Sequence, residues 1–291
     1  MQNAAYYNGK ITTIEEMTVP LNDRAVYFGD GVYDVAFCHN GKMFLIDEHF
    51  DRFYNSCKLI KIVFPYSRDE MRGIISDLIS RLDDTSDVLI YWQASRGTAP
   101  RNHPFPEKVK PNLLVYVKPK KIMNLDKRMK LVTWSDIRYK MCNVKTINLI
   151  PNILAAQHAI DSGCDEAVQI RDRIETDSGE VLTDVVTEGA HTNISILKDG
   201  KFITAPLGCY ILPGIARSHL IGLCRDHGIP VEERYITRAE LFDADEVFVS
   251  STTTLVRAAC EIDGKPVGCR NQKFVDELQS WYLEKLELAT R

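Results

Sequence analysis

Four short strings in this sequence hold residue types that could do chemistry, among them an amine, a carboxylate and a guanidinium. Lys145, in Cys142-Asn143-Val144-Lys145-Thr146-Ile147-Asn148-Leu149, follows a β-prone region and leads into an apolar helix. A lysine amine is a nucleophile or a base when it is neutral. Glu188 is a carboxylate beside a glycine in β-prone surroundings, Val186-Thr187-Glu188-Gly189-Ala190-His191-Thr192-Asn193. Arg52, in Glu48-His49-Phe50-Asp51-Arg52-Phe53, is a basic residue on an amphipathic helix. A fourth string, Asp23-Arg24-Ala25-Val26-Tyr27-Phe28-Gly29-Asp30-Gly31-Val32-Tyr33, sets two glycines in an aromatic, β-prone run, where they permit a bulge or a close backbone approach. Taken singly, each has an ordinary reading: a solvated lysine, a turn glutamate, a surface arginine, a tight corner.

Other chemistries lack their residues. There is no Gly-x-x-x-x-Gly-Lys-Ser/Thr loop, no Gly-x-Gly-x-x-Gly after a strand, no His-Glu-x-x-His and no Gly-x-Ser-x-Gly elbow. The 7 histidines are scattered without metal-ligand spacing, so no metal is expected. A net charge of -4 gives no broad basic surface for nucleic acid or anionic membrane. The 8 cysteines are irregularly spaced, with no Cys-x-x-Cys, and read as reduced thiols. With no leader-like start and no apolar run long enough to span a bilayer, the expected location is the cytoplasm.

The elements that must position these residues are legible in outline. At 291 residues, two domains are expected. Asn8-Gly9 and Asn40-Gly41 predict hairpins, because both residues accept positive φ. Apolar spacing from Asp47 to Ile62 predicts a helix with Asp47 as cap, and Ser67 with Glu70 predicts a capping box on a second. Strands are predicted at Val88–Ala94 and Leu113–Val117, and a boundary at Lys118-Pro119-Lys120-Lys121. A second α+β unit follows: strands at Leu131–Trp134 and Glu166–Ile170, a helix at Leu149–Ile160, a polar excursion at Arg171–Asp184, a hairpin about Asp199-Gly200, a helix from Gly214 to His227, a strand at Val247–Ser251 and a tail helix at Phe274–Leu286 that docks on the second domain.

In order and spacing, the four strings resemble the fold type IV enzymes that use pyridoxal 5′-phosphate (PLP), and among them the D-amino-acid aminotransferases. Arg96-Gly97-Thr98-Ala99-Pro100-Arg101-Asn102-His103, Leu212-Pro213-Gly214-Ile215-Ala216-Arg217 and Val249-Ser250-Ser251-Thr252-Thr253 extend the resemblance over essentially the whole chain. It implies an α+β fold with a small N-terminal domain (1–120), a larger β-rich C-terminal domain (121–291) that anchors PLP in the cleft between them, and a homodimer. It further implies that Lys145 carries PLP as a Schiff base and moves the Cα proton, and that Glu188 keeps the pyridine nitrogen protonated. Arg52, the N–H groups of Ile215 and Ala216, and Thr252 and Thr253 would bind the phosphate. Tyr33, Tyr91, Arg101 and His103 would grip the substrate carboxylate, the last two from the neighbouring subunit. The implied reaction moves nitrogen from D-alanine or D-glutamate to 2-oxoglutarate or pyruvate.

The chain departs from that pattern twice. Arg171–Asp184 is longer than the corresponding turn and either lengthens a loop or extends a hairpin, and Ala216 stands where threonine is more usual. Branched-chain L-amino-acid aminotransferases, PLP lyases of the aminodeoxychorismate lyase kind and a non-catalytic PLP-binding homologue are the competing readings of the same residues.

Overall fold

The computed structural model describes residues 1–122, 124–176 and 178–291. The chain divides into two compact units: Met1–Ile122 with Val144–Asn148 and Leu286–Arg291, and Met123–Asn143 with Leu149–Lys285. The short return of Val144–Asn148 puts Lys145 in the first unit.

The first unit contains β1 (Ala4–Tyr7), β2 (Lys10–Thr12), α1 (Arg24–Phe28), β3 (Gly31–His39), β4 (Lys42–Phe44), α2 (Ile46–Leu59), α3 (Arg68–Ser80), β5 (Asp87–Ser95) and β6 (Asn112–Pro119). Its strands form one antiparallel sheet in the order β2-β1-β6-β5-β3-β4. Asn8 and Gly9, and Asn40 and Gly41, all take positive φ, so both predicted hairpins form as expected. Alternation sends Val32, Ala36, Ile90 and Trp92 to one face, where they bury against Phe50, Phe53, Met71 and Ile75 of α2 and α3. The opposite face carries a stack of tyrosines, Tyr33 on Tyr91 at 5.5 Å and Tyr91 on Tyr116 at 4.8 Å.

Two local features bear on the sequence reading, the second as a correction. The run Asp23–Tyr33 holds the tight corner its glycines allow: Asp23 caps a single helical turn, accepting from the N–H of Ala25, and Gly29 at φ 60° closes it before β3 begins. Asp47 does not cap α2; Leu45 does so in a left-handed conformation with no side-chain bond, and Asp47 lies within the first turn, ion-paired to Arg72. The capping box of Ser67 and Glu70 forms as predicted.

The second unit contains β7 (Met129–Ser135), α4 (Ile150–Asp161), β8 (Glu166–Glu175), β9 (Val181–Gly189), β10 (Asn193–Lys198), β11 (Lys201–Thr204), α5 (Ile215–Asp226), β12 (Val231–Glu233), β13 (Ile236–Thr237), α6 (Arg238–Phe242), β14 (Glu246–Ser251), β15 (Leu255–Ile262), β16 (Lys265–Pro266) and α7 (Gln272–Thr290). Ten strands join in the order β12-β11-β10-β14-β15-β7-β8-β9-β13, with β16 on β15. Ile170, Val186, Ile194, Ile196, Val247 and Val249 fill its core. The tail helix docks on this unit, with Phe274 against Phe248 and Trp281 stacked on His227. The polar stretch 171–184 extends a hairpin, since Arg171 pairs with Val185, Arg173 with Thr183 and Glu175 with Val181. Asp177, within that stretch, lies outside the described residues. Among the described residues no helix is long and apolar enough to cross a membrane.

Candidate functional site

In the first unit, the position of Lys145 follows from a close approach at Gly31. A Cβ on Gly31 would sit 2.4 Å from the carbonyl oxygen of Ala94, so only glycine allows β3 to start here. The Gly31 carbonyl then accepts from the N–H of Ile147 at 3.2 Å, the Tyr33 N–H donates to the Lys145 carbonyl at 2.9 Å, and the Lys145 N–H donates to Ser56 Oγ at 3.2 Å. The lysine backbone is thus bonded on both sides. Its Nζ lies over the Tyr33 ring, 4.3 Å from the centroid, within cation–π range. Tyr91, behind Tyr33, donates its hydroxyl to Gln93 Oε1 at 2.8 Å, and burial pushes its phenol up, so it stays protonated.

Arg52 is buried on α2, with Nε 2.8 Å and Nη2 2.6 Å from the two oxygens of Asp34, which is fully buried. His49 Nδ1 meets the same carboxylate at 2.8 Å. Burial opposes ionisation of Asp34, but the charge of Arg52 and the hydrogen bonds from His49 and Arg52 outweigh it and hold the carboxyl well below its ordinary value. Burial also drives the His49 imidazole down, so it is neutral near neutral pH. Neither Asp34 nor His49 is singled out by sequence pattern; together they orient the guanidinium.

Arg52→Ala is therefore expected to cost about 3–5 kcal/mol, because it strands a buried carboxylate. A carboxyl whose folded pKa is depressed stabilises the fold above its unfolded value and loses that contribution as pH falls toward the folded one. The stability gap between wild type and Arg52→Ala should thus narrow as pH falls, because the stranded carboxyl of the variant takes up its proton at a higher pH than the paired one. Urea denaturation of the apo-protein across pH 2.5–7 measures this; a gap independent of pH would refute the pairing.

In the second unit, Glu188 ends β9, buried, and both of its oxygens are engaged. Oε1 pairs with Arg138, and Oε2 accepts from Asn193 Nδ2 at 3.0 Å and from the Leu212 N–H at 2.9 Å. Burial pushes the Glu188 carboxyl up, while the Arg138 charge and the Leu212 N–H pull it back. Arg138 also holds Asp136 through Nε at 2.9 Å and Nη2 at 2.8 Å, and Asp136 is shared with Arg171 at 3.2 Å. Two arginines and two carboxylates balance in a buried set. Burial works against the Arg138 charge, but Glu188 and Asp136 overcome it and keep it firmly protonated.

Gly214 ties this set to α5. A Cβ there would fall 1.8 Å from Asn193 Oδ1, so the glycine leaves room for the amide that bonds Glu188. Gly214 is also the N-cap of α5, with no side-chain cap and no acidic residue in the first turn. The N–H groups of Ile215 and Ala216 open that helix, the arrangement that favours an anion. On β14, which α5 packs against, the buried hydroxyl of Ser250 has no hydrogen-bond partner, and Thr252 and Thr253 follow in the turn to β15. An unfilled hydroxyl and an uncapped helix start fit a bound phosphate; Ala216 supplies its backbone alone.

Tyr33, Arg52, Tyr91, Lys145, Arg101 and His103 thus belong to the first unit, and Glu188, Ile215, Ala216, Thr252 and Thr253 to the second. Arg101 and His103 are exposed and flank Phe28, at 5.1 Å and 5.3 Å from its ring centroid. Sequence reading misses Arg138, whose only local signal is the Asp136-x-Arg138 spacing.

The family model for amino-transferase class IV matches residues 31–262 of this chain. The D-alanine aminotransferase of Staphylococcus haemolyticus is 36% identical over 266 residues, 90% of each chain. That of Bacillus licheniformis is 34% identical over 264 residues, 90% of this chain and 89% of the relative. Among solved structures, the branched-chain aminotransferase from Thermoproteus uzoniensis with norvaline superposes with a TM-score of 0.84 at 26% identity, covering 98% of this chain and 96% of that one. The branched-chain amino acid aminotransferase from Escherichia coli gives 0.81, at 23% identity over 96% of this chain and 92% of that one.

Proposed function

Because this chain belongs to the class IV amino-transferase family, we propose that it carries PLP on Lys145 and moves the amino group of D-amino acids, of the D-alanine and D-glutamate type, to a 2-oxo acid such as 2-oxoglutarate or pyruvate. The observation that carries this reading is the setting of Lys145: its backbone is bonded to Ser56 and Tyr33, and its amine rests on Tyr33, in a chain with D-alanine aminotransferases as relatives at 34% and 36% identity.

When bound, PLP supplies an electron sink that makes the Cα proton of an attached amino acid acidic. Lys145 is the base that takes that proton and returns it. Glu188, anchored by Arg138, Asn193 and Leu212, holds a proton at the pyridine nitrogen. The α5 start with Ile215 and Ala216, Thr252, Thr253 and Arg52 hold the phosphate, so Arg52→Ala also weakens cofactor retention. Tyr33, Tyr91, Arg101 and His103 hold the substrate carboxylate and so choose which hand of amino acid presents its Cα–H to Lys145. The reading includes a homodimer that lends Arg101 and His103 across its interface, supported by the exposed apolar residues Ile150, Ile153 and Leu154 of α4.

The likeness to the Thermoproteus uzoniensis branched-chain enzyme favours L-amino acids as a second reading. Mixing the PLP-loaded protein separately with D-alanine and L-leucine, and following loss of the bound cofactor's visible absorption, decides between them. D-alanine is expected to react faster by at least about 10²-fold, the scale on which misplacing a reacting group by about 1 Å slows a reaction. Faster reaction with L-leucine would move the protein to the branched-chain group.

A further inference from the structure

Arg101 and His103 are exposed, yet the backbone that carries them is clamped from below by buried arginines. Arg24, 4% exposed, donates from Nη1 to the Asn102 carbonyl at 2.6 Å and from Nη2 to the His103 carbonyl at 3.2 Å, with the Pro104 carbonyl 3.4 Å from Nη1. Its remaining edge is fixed by Asp30, whose Oδ2 accepts from Nε at 2.7 Å. Arg96, 8% exposed, grips the same carboxylate at 2.8 Å and 3.0 Å, bonds the carbonyls of Ile60 and Lys61, and lies 3.6 Å from the Phe105 ring centroid. Backbone bonds from Arg24 N–H to the Gly97 carbonyl and from Arg96 N–H to the Asp30 carbonyl, both 3.0 Å, tie α1 to the root of the loop.

The Arg24 guanidinium also lies over Phe28, 4.8 Å from the ring centroid, the same ring that Arg101 and His103 flank. Arg24 therefore fixes both the peptide that joins Arg101 to His103 and the ring both side chains lean on. A planar fork holds two carbonyls and a carboxylate on separate nitrogens at fixed spacing; a lysine offers its three donors from a single nitrogen and cannot keep that spacing. From this geometry we propose that Arg24 is a positioning residue for carboxylate recognition: it sets the reach and spacing of Arg101 and His103 without touching substrate. This rests on the assignment of Arg101 and His103 as carboxylate-gripping residues.

The test uses the PLP-loaded enzyme and compares wild type, R24M, R24K, R101A and the double variant R24M/R101A in single-turnover reaction with D-alanine, separating the half-saturating concentration from the limiting rate. R101A is expected to raise the half-saturating concentration. R24M should raise it by about 10- to 100-fold, the scale on which loss of ångström-level placement acts, with the limiting rate within about twofold of wild type. R24K, which keeps the Asp30 pair but loses the fork, should fall between. The double variant should be little worse than R101A alone, because Arg24 acts through the residues it positions. If R101A shifts half-saturation and neither R24M nor R24K does, the positioning role is overturned while the carboxylate assignment stands. If R101A leaves half-saturation unchanged, the assignment itself fails and the role of Arg24 falls with it. Should R24M not fold, R24K decides by the same criterion.

Discussion

Replacing Lys145 with alanine is expected to reduce turnover by at least about 10²- to 10⁴-fold, the range for losing a general base, and the simultaneous loss of the covalent anchor puts it at or beyond the upper end. The substitution should not unfold the protein. The bonds that place this residue are made by its backbone, the N–H to Ser56 Oγ and the carbonyl from Tyr33, and alanine keeps both. What is lost is the amine over the Tyr33 ring, a contact worth about 0.5–1 kcal/mol at exposed sites and about 2 kcal/mol when desolvated. A urea midpoint lowered by no more than the loss of that contact, with abolished turnover, would therefore separate chemistry from stability. Borohydride reduction of the PLP-loaded wild type, followed by peptide mapping, should find the pyridoxyl group on the peptide containing Lys145. Recovery on any other lysine would remove Lys145 from its role.

The features that could be read from sequence are those set by local chemistry. Asn8-Gly9, Asn40-Gly41 and Asp199-Gly200 all adopt the positive φ that two-residue hairpins demand, and Ser67 with Glu70 needs only four consecutive residues to form its box. Other features carry no such local signal. Leu45 starts α2 because the short β4 must turn directly into a helix whose first residue, Ile46, is buried, and no side-chain cap is needed for that. The turn at Arg24–Phe28 forms in a β-prone run because Asp23 caps it and the Arg24 N–H is taken by Gly97, 73 positions on by their numbers. Within the polar stretch, residues 171–175 and 181–184 become strand since they pair along their own hairpin, where most of them face solvent and polarity is no penalty.

The candidate site divides in the same way. Lys145, Glu188 and Arg52 stand in strings that repeat a family pattern, so resemblance finds them. Their partners carry no comparable signal: Asp34 reads as one residue of a strand and Arg138 as one of many arginines. Only the folded chain brings Asp34 to Arg52, Arg138 to Glu188 and Arg24 to the loop carbonyls. These second residues decide the charge state and aim of the first, which is why a site can be listed from sequence before its electrostatics can be described.

Glu188→Gln should expose that electrostatic layer. The amide keeps the size of the side chain, and its oxygen can still accept from Asn193 and the Leu212 N–H, so the local backbone should hold. It removes the negative charge opposite Arg138, leaving the buried set of Arg138, Arg171 and Asp136 with an excess positive charge. Two effects then act in the same direction on proton removal from Cα. A neutral amide cannot hold a proton at the pyridine nitrogen, and the unbalanced Arg138 disfavours a positive charge nearby. The expected result is PLP retained through its phosphate contacts, with the D-alanine half-reaction slowed by about 10²- to 10⁴-fold, comparable to losing an acid–base or charge-stabilising group. Cα-deuterated D-alanine should give a larger isotope effect than in wild type, because proton removal has become the slow step. Removing Arg138 as well, as Met, should recover part of the stability lost in Glu188→Gln, since it deletes the stranded charge, but none of the rate. Half-reaction rates equal to wild type in Glu188→Gln would exclude the carboxylate from the proton-holding role and leave it a structural partner of Arg138.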